Sequence, residues 1–323
     1  MPIQPPWTTD PAGPVAREIA PLYWIMFAAA VIVLIVVDGG LIYAGIRFRE
    51  RPGVPAKQFH GNNLLELAWT VIPTLMVVTF SVLSFQRLLV LNDVNTGTAM
   101  TITVIARQWQ FSYRYPNEPQ YKLADGSILT TATDLHIPAN TKIKLDITSQ
   151  DVIHAFYIPP LGGQKDAVPG RTTTLWIEAD HPGTYKGQCA EFCGSGHADM
   201  LINVVAHPKD QYAAWVASAV KSANEAAAAG GPQVAAGRQL FLSLPCAGCH
   251  TIAGTSAQGK VGPELTHIAS LDSIVGILKP VNAQNLHTWI KDPQKVKPGT
   301  IMPTLGLDDA TIDKIVTYLL TLK

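Results

Sequence analysis

Two long stretches with almost no charge constrain the fold of this chain more than any other feature of its sequence. Residues 22–46 contain a single charged side chain, Asp38, and residues 67–85 contain none. Each stretch reaches the roughly 20 apolar residues with which an α-helix crosses a bilayer. We therefore predict transmembrane helices over 22–46 and 64–90, joined by a loop at 47–63.

The basic residues after the first stretch predict its orientation. They are Arg47, Arg49, Arg51 and Lys57. The positive-inside rule puts this loop in the cytoplasm, so the tail at 1–21 and everything after about residue 91 are predicted to lie outside. The first stretch could instead be a signal peptide, but the only basic residue before it, Arg17, is followed by Glu18, whereas a signal peptide begins with a positive region.

The rest of the chain changes character twice. Short β-branched stretches separated by Pro and Gly predict an all-β domain over 91–222, either a sandwich or a Greek-key barrel, ending in a short amphipathic helix. An alanine run followed by Gly-Gly-Pro predicts a linker at 223–236. Helix-like stretches with long Gly- and Pro-rich connections predict a small all-α domain over 237–323.

The four cysteines indicate chemistry rather than cross-linking. They form two close pairs, Cys189 with Cys193 and Cys246 with Cys249, and leave none to join distant parts of the fold. Acidic and basic residues are equal in number, at 24 each, so no net charge favours binding to nucleic acid.

The first cysteine pair lies in a segment rich in soft metal ligands. It reads Cys189-Ala-Glu-Phe-Cys193-Gly-Ser-Gly-His197-Ala-Asp-Met200. Thiolate, thioether and imidazole together favour copper. Zinc suits the segment less well, because a structural zinc site takes four tetrahedral ligands and methionine is a poor one. A disulfide is sterically possible, but it leaves His197 and Met200 unexplained.

The second pair lies in Cys246-Ala-Gly-Cys249-His250, the signature of covalent c-type haem attachment with the histidine as axial ligand. Residues 299–303 resemble the distal-ligand loop of small cytochromes c, which implies Met302 as the sixth ligand. His267 and His287 are the competing candidates. The other histidines are predicted to be surface groups: His60, His136, His181 and His207.

The copper segment resembles the CuA loop of cytochrome c oxidase subunit II. In that family a copper pair takes two bridging cysteines, two histidines, a methionine and a backbone carbonyl. The resemblance assigns these ligands to Cys189, Cys193, His154, His197, Met200 and the carbonyl of Glu191. His154 comes from an upstream segment, 151–156, which matches the family's pattern.

The resemblance also implies roles beyond copper ligation. The side chain of Glu191 is expected to help bind magnesium at the interface with subunit I, unless it is a solvated surface group. Trp109 matches the tryptophan through which electrons reach CuA, although an aromatic residue in a strand can simply pack the sheet. Glu66 matches a glutamate at the cytoplasmic mouth of a proton channel. Asp38 has no counterpart in the family.

The best match is the cytochrome-fused subunit II of bacterial caa-type oxidases. It implies a multidomain membrane protein with a two-helix transmembrane hairpin, a cupredoxin-like Greek-key β-barrel and an all-α cytochrome c domain. Electrons are expected to pass from soluble cytochrome c or a quinol-oxidising complex through haem c and CuA to haem a of subunit I, where oxygen is reduced and protons are pumped. Subunits I and III of this bacterial cytoplasmic membrane complex are the implied partners.

Three other readings share parts of this pattern. A CuA subunit of a nitric or nitrous oxide reductase has the same copper ligands, but Glu66, Trp69 and Glu191 favour the oxidase. A copper-delivery protein does not predict His197, Met200 or a haem. The subunit II of a quinol oxidase has the fold but lacks the copper ligands.

Overall fold

The computed structural model describes residues 10–50, 52–53, 60–132, 134–228, 230–271 and 273–322. They form two compact units, one spanning residues 17–93 and the other residues 94–323 with the N-terminal segment up to 16. The predicted tail and cytoplasmic loop lie partly outside the described residues, as do Arg51 and Lys57.

The smaller unit consists of two long helices, α1 (Pro14–Arg47), which starts in the larger unit, and α2 (Asn63–Leu91). Both are long and apolar enough to cross a membrane, and their apolar side chains are largely exposed. Asn62 caps α2, because its side-chain oxygen accepts hydrogen bonds from the backbone N–H groups of Leu64 and Leu65 at 3.1 and 3.2 Å. The two predicted helices are confirmed.

α1 begins earlier than the predicted range of 22–46. Its first turn belongs to the larger unit, where Val15 and Ala16 are buried. Just before it, the backbone N–H of Ala12 donates to the carbonyl of Pro160 at 2.8 Å. Packing against the β domain therefore stabilises a helical turn that hydropathy alone does not predict.

The described part of residues 100–207 forms two five-stranded sheets. The strands are β1 (Met100–Arg107), β2 (Gln110–Arg114), β3 (Thr130–Ala132), β4 (Asp134–Pro138), β5 (Ile143–Ser149), β6 (His154–Tyr157), β7 (Gln164–Ala167), β8 (Thr173–Ile177), β9 (Gly183–Cys189) and β10 (Leu201–His207). Their orders are β3-β2-β1-β5-β8 and β4-β10-β9-β6-β7. Parallel pairing of β1 with β5 and of β4 with β10 joins strands that are distant in the chain. The predicted all-β domain is confirmed.

Alternating burial along the strands builds the core of this sandwich. Ile102 and Val104 on β1, Leu145 on β5 and Val204 on β10 are fully buried, and the residues that flank each of them along the strand are less buried. Cys189 belongs to the same buried cluster, as do Cys193 and Met200. The copper donors are therefore continuous with a close-packed core, which limits their movement.

The last domain is a small all-α fold, as predicted. Its helices are α4 (Pro232–Ser243), α5 (Cys246–Cys249), α6 (Ala283–Lys291), α7 (Pro293–Val296) and α8 (Asp309–Leu319). α4 and α8 cross at very close range, since a Cβ atom at Gly237 would lie 2.0 Å from the carbonyl oxygen of Lys314. Only glycine permits this approach, which brings the two ends of the domain together.

The predicted linker at 223–236 is largely helical. A helix, α3 (Lys209–Ala228), runs into it from the β domain, and α4 begins at Pro232. Alanine is the strongest helix former, so the alanine run extends α3 instead of ending it. Ala223 is buried and Asn224 accepts a hydrogen bond from the backbone of Ala124 at 2.8 Å, which holds the helix on the β domain.

Two of the four histidines expected at the surface are packed inside the fold. Nδ1 of His136 lies 2.8 Å from Nε2 of His207, and the ring of His136 stacks on Trp215 with centroids 4.3 Å apart. Burial, with a smaller contribution from His207, lowers the pKa of His136 to about 3. The predicted surface position was wrong for this pair. Nothing in the sequence around the two histidines indicates that Trp215 of α3 packs against them. His60 and His181 are exposed.

Candidate metal and haem sites

Strand pairing brings His154 to the cysteine segment. His154 begins β6 and Cys189 ends β9, and these two strands are neighbours, with Phe156 opposite Cys189. Met200 immediately precedes β10, which pairs with β9. The sheet thus fixes the residues on both sides of the segment, and His197 lies in the short 3₁₀ helix inside it.

The predicted copper donors lie within 4 Å of one another in a chain of contacts. Cys189 Sγ is 3.9 Å from His154 Nδ1, 3.8 Å from Cys193 Sγ and 3.3 Å from the carbonyl oxygen of Glu191. Cys193 Sγ is 3.5 Å from His197 Nδ1 and 3.8 Å from Met200 Sδ. The structure therefore brings together all six donors that the sequence predicts.

The pKa values of the two thiols are consistent with a site that binds two metal cations. Burial raises the pKa of Cys189, but contacts with His154 and the backbone of Ala155 outweigh it and lower the pKa to about 7. Burial and the neighbouring Cys189 thiolate raise the pKa of Cys193 to about 12. Two thiolates this close repel each other unless cations lie between them, and metal binding removes both protons. The donor set suits soft copper ions.

Asp151 orients His154, a role that the sequence analysis did not assign. Its Oδ1 lies 2.8 Å from Nε2 of His154, which leaves Nδ1 facing Cys189. Burial lowers the pKa of His154, but the hydrogen bond to Asp151 and the contact with Cys189 outweigh it and raise the pKa. Carboxylates that hold metal-binding histidines in this way are common. The spacing Asp-x-x-His was the available signal.

The haem-attachment signature forms one short helix and its end. Cys246 and Cys249 bound α5, and His250 caps it. Nδ1 of His250 lies 2.8 Å from the carbonyl oxygen of Pro263, so Nε2 is the nitrogen free to bind iron. Burial, aided by the charge of Arg107, lowers the pKa of His250, which favours the neutral imidazole.

Met302 lines the same cavity as both cysteines and His250. Its loop is held by Gln294, whose side-chain amide donates to the carbonyl oxygens of Thr300 and Met302 at 2.6 and 2.9 Å. Among the described residues, neither competing histidine lines the cavity. His287 faces Asp309 on α8 instead, at 3.4 Å. The cavity, with its apolar walls, two cysteines, an imidazole and a thioether, fits a covalently bound haem.

Trp109 contacts both sites. Its indole N–H donates to the carbonyl oxygen of Cys193 at 3.0 Å, and its side chain also lines the haem cavity. Nearby, the guanidinium of Arg107 donates to the carbonyl of Gly262, the residue before Pro263, whose own carbonyl oxygen contacts His250. The β domain and the all-α domain that begins with α4, called the haem domain below, both lie within the larger unit and meet at this cavity. Phe111, in contrast, is fully buried in the sheet.

Glu264 is a partly buried acid at this junction, and its Oε2 atom is inaccessible to solvent. Its Oε1 accepts a hydrogen bond from the backbone of Thr266 at 2.8 Å, whereas Oε2 has no partner among the described residues. Burial raises its pKa to about 8, although Thr266 and Arg107 oppose the shift. The carboxyl group is therefore largely protonated at neutral pH.

We expect Glu264→Gln to stabilise the haem domain at pH 8.5 and to have little effect at pH 5. Between the ordinary glutamate value of 4.5 and about 8, the folded carboxyl keeps a proton that the unfolded chain releases. Stability of the native chain therefore falls as pH rises through this range and levels off above it, and glutamine escapes this loss. We expect the midpoint of haem-domain unfolding, followed by circular dichroism of the haem band, to rise by about 4 °C at pH 8.5.

The matched control is Glu225→Gln, which neutralises an exposed carboxylate on α3. It should leave the midpoint unchanged at both pH values. A Glu264→Gln effect of the same size at pH 5 and pH 8.5 would contradict the assignment of a raised pKa.

The two acids in the membrane helices occupy different positions. Glu66 lies in the first turn of α2, whereas Asp38 lies in the interior of α1. The side chains of both are exposed within the described residues. Likewise, the side chain of Glu191 is exposed beside the copper donors, while its carbonyl points to Cys189.

The chain matches three protein families. Residues 7–87 match the transmembrane domain of cytochrome c oxidase subunit II, residues 100–207 match the periplasmic domain of the same subunit, and residues 234–323 match cytochrome c. These matches agree with the predicted architecture of a transmembrane hairpin, a cupredoxin-like β domain and a cytochrome c domain.

Individual relatives point the same way. Cytochrome c oxidase subunit 2 of Alkalihalophilus pseudofirmus is 34% identical over 323 residues, covering 97% of this chain and 90% of the relative. The protein of the same name from Bacillus sp. PS3 is 33% identical over 298 residues, covering 85% of this chain and 80% of the relative. A crystal structure of the periplasmic domain of subunit II of cytochrome oxidase from Bradyrhizobium japonicum is 31% identical, with a TM-score of 0.35, over 38% of this chain and 95% of that domain.

Proposed function

Because this chain belongs to the cytochrome c oxidase subunit II family and carries a fused cytochrome c domain, we propose that it is the electron inlet of its oxidase. It is a subunit of an oxygen-reducing haem-copper oxidase. Electrons pass from a donor through its own haem c to CuA and on to haem a of subunit I. Oxygen is reduced to water there, with proton pumping.

The observation that carries this proposal is the convergence of five side-chain donors and one backbone carbonyl at the end of β9. The proposed CuA ligands are His154, Cys189, Cys193, His197, Met200 and the carbonyl of Glu191. When bound there, the copper pair supplies a one-electron carrier that forms no bond to substrate. The sheet and Asp151 hold the donors in place, which keeps the geometry nearly constant between oxidation states.

In the haem domain, Cys246 and Cys249 hold the haem covalently, and His250 and Met302 are its axial ligands. Support comes from the shared cavity and from the hydrogen bond that leaves Nε2 of His250 free. Methionine ligation raises the potential of a haem, which suits the transfer of electrons towards oxygen. Trp109 is proposed to lie on the path between the two sites, since it contacts both.

Two carboxylates are proposed to serve subunit I. The exposed side chain of Glu191 supplies an oxygen ligand to magnesium at the interface of the two subunits. Glu66, in the first turn of α2, lies at the cytoplasmic mouth of a proton channel of subunit I. Asp38 has no proposed role.

The proposed location is a bacterial cytoplasmic membrane, crossed by α1 and α2. The basic residues of the loop between these helices support a cytoplasmic position for the loop. Both termini and both redox domains then lie on the periplasmic or extracellular side. There they meet soluble cytochrome c or a quinol-oxidising complex as donor, and the oxidase also contains subunit III.

The test is the cofactor content of the purified oxidase. We expect two coppers in this subunit, with one unpaired electron shared equally between them in the paramagnetic resonance spectrum, and one covalently attached haem. Met200→Leu should distort that spectrum and slow oxygen uptake while the haem stays attached and reducible. Met100→Leu, a methionine on β1 outside the donor set, is the matched control.

A single copper, or a spectrum with the spin on one metal, would refute the copper assignment. Loss of haem in Met200→Leu would show that the two sites do not form independently. Absence of oxygen uptake in a complex that contains both cofactors and subunit I would refute the proposed place in respiration.

A further inference from the structure

Lys297 is a haem-domain residue whose side chain is buried against the β domain. The β domain is called the copper domain below, because it carries the proposed copper ligands. It follows α7 in the loop that leads to Met302, and it is only 6% exposed. Its ammonium lies 4.9 Å from the centre of the Trp109 ring and 3.9 Å from Oδ2 of Asp199. It also donates a hydrogen bond to the carbonyl oxygen of Val275 at 2.9 Å.

The partners of this ammonium come from both domains. Trp109 and Asp199 belong to the copper domain, and Val275 belongs to the haem domain. A buried cation is costly unless it is paired and hydrogen-bonded. Because the aromatic face and the carboxylate lie across the junction, Lys297 is fully compensated only while the two domains are docked.

The copper segment is shaped to receive this side chain. A Cβ atom at Gly196 would lie 2.5 Å from Cε of Lys297 and 2.5 Å from Cδ2 of Trp109. Glycine at this position therefore leaves the space that the lysine and the indole share. Beside it, the hydroxyl of Ser195 donates to the carbonyl oxygen of Pro298 at 3.2 Å. Ser195 and Gly196 of the copper segment thus contact Pro298 and Lys297 of the haem domain, next to the proposed ligand His197.

We propose that Lys297 is a positioning residue that docks the haem domain on the copper segment and holds the Trp109 ring between the two sites. It thereby sets the rate of electron transfer from haem c to copper. The step moves one electron, which oxidises the haem iron and reduces the copper pair, and it needs no proton and no bond change. The inference rests on the proposed function, which supplies the two redox sites.

The experiment compares three variants of the whole oxidase with the native complex. Lys297→Met keeps most of the length of the side chain but removes its charge, and Lys297→Arg restores a cation that stacks well on an indole. Lys295→Met is the matched control, since it removes an exposed lysine two residues away. Electron transfer is measured after photochemical reduction of haem c, and docking is measured by amide hydrogen exchange in residues 194–199.

We expect Lys297→Met to slow transfer by about tenfold or more, because small displacements of a donor from an acceptor path have large effects on rate. Amide exchange in 194–199 should rise severalfold in the same variant. Lys297→Arg should stay within about threefold of the native rate, and Lys295→Met should match the native complex in both measurements. A milder variant, Asp199→Asn, should give an intermediate rate if Lys297→Met does not assemble.

Two results would overturn the inference. One is a Lys297→Met or Asp199→Asn complex with native transfer rate and native exchange. The other is Lys297→Arg as slow as Lys297→Met, since that would indicate a requirement for shape and not for the cation. Failure of the proposed function looks different, because haem c of the native complex would then not reduce copper at all.

Discussion

Replacing Cys193 with serine will remove the shared-spin copper centre and lower donor-driven oxygen uptake by at least ~100-fold, while haem c stays attached. Cys193 contacts three other proposed donors, since its sulfur lies 3.8 Å from Cys189 Sγ, 3.5 Å from His197 Nδ1 and 3.8 Å from Met200 Sδ. A hydroxyl group is a hard, weakly acidic ligand that does not bridge two soft copper ions. The change is nearly isosteric, so the buried core around it should survive.

The measurement combines copper content, the paramagnetic resonance spectrum and oxygen uptake of the purified complex. The reciprocal variant, Cys249→Ser, is the matched control, because it makes the same change at the haem site. It should lose one thioether link to the haem and keep the native copper spectrum. Two coppers with a shared spin in Cys193→Ser would show that the bridging assignment is wrong.

The proposed ligand residues that are close to one another in the chain could be picked out from the sequence because their chemistry is local. Cys189, Cys193, His197 and Met200 fall in one short segment, and Cys246 to His250 form another. His154 was harder, since it lies 35 residues before Cys189. Only the family pattern identified it in advance, and the structure accounts for it by the pairing of β6 with β9.

The junction between the two domains could not be predicted in the same way. Arg107 and Gly262 are 155 residues apart, and nothing in the sequence around either residue indicates that they meet. Lys297 resembles any other charged loop residue in the sequence. Its burial depends on contacts with Gly196, Asp199 and Trp109 of the other domain, which form only once both domains have folded and met.

Replacing Trp109 with leucine will slow electron transfer from haem c to copper by about 100-fold without removing either cofactor. The indole donates to the carbonyl of Cys193 at 3.0 Å and lines the cavity that contains Met302. Leucine fills part of the space but provides neither the N–H group nor the aromatic ring. The two sites then lose their connection through the indole.

Trp109→Phe separates the ring from the hydrogen bond. It keeps an aromatic face for Lys297 but removes the donor to Cys193, so we expect a rate between those of the native complex and Trp109→Leu. The matched control is Trp215→Phe, which changes a tryptophan on α3 that stacks on His136. It should leave the rate unchanged. The rate is followed by absorbance of haem c and of copper after a flash of light.

The pattern across these variants decides which contact carries the electron. If Trp109→Phe is as slow as Trp109→Leu, the hydrogen bond to Cys193 dominates, because the ring alone does not sustain the rate. If Trp109→Phe equals the native complex, proximity of an aromatic ring is sufficient. A native rate in Trp109→Leu would remove Trp109 from the path and leave Gln108 as the next candidate, because its side-chain amide donates to the same carbonyl of Cys193 at 2.7 Å and it also lines the cavity.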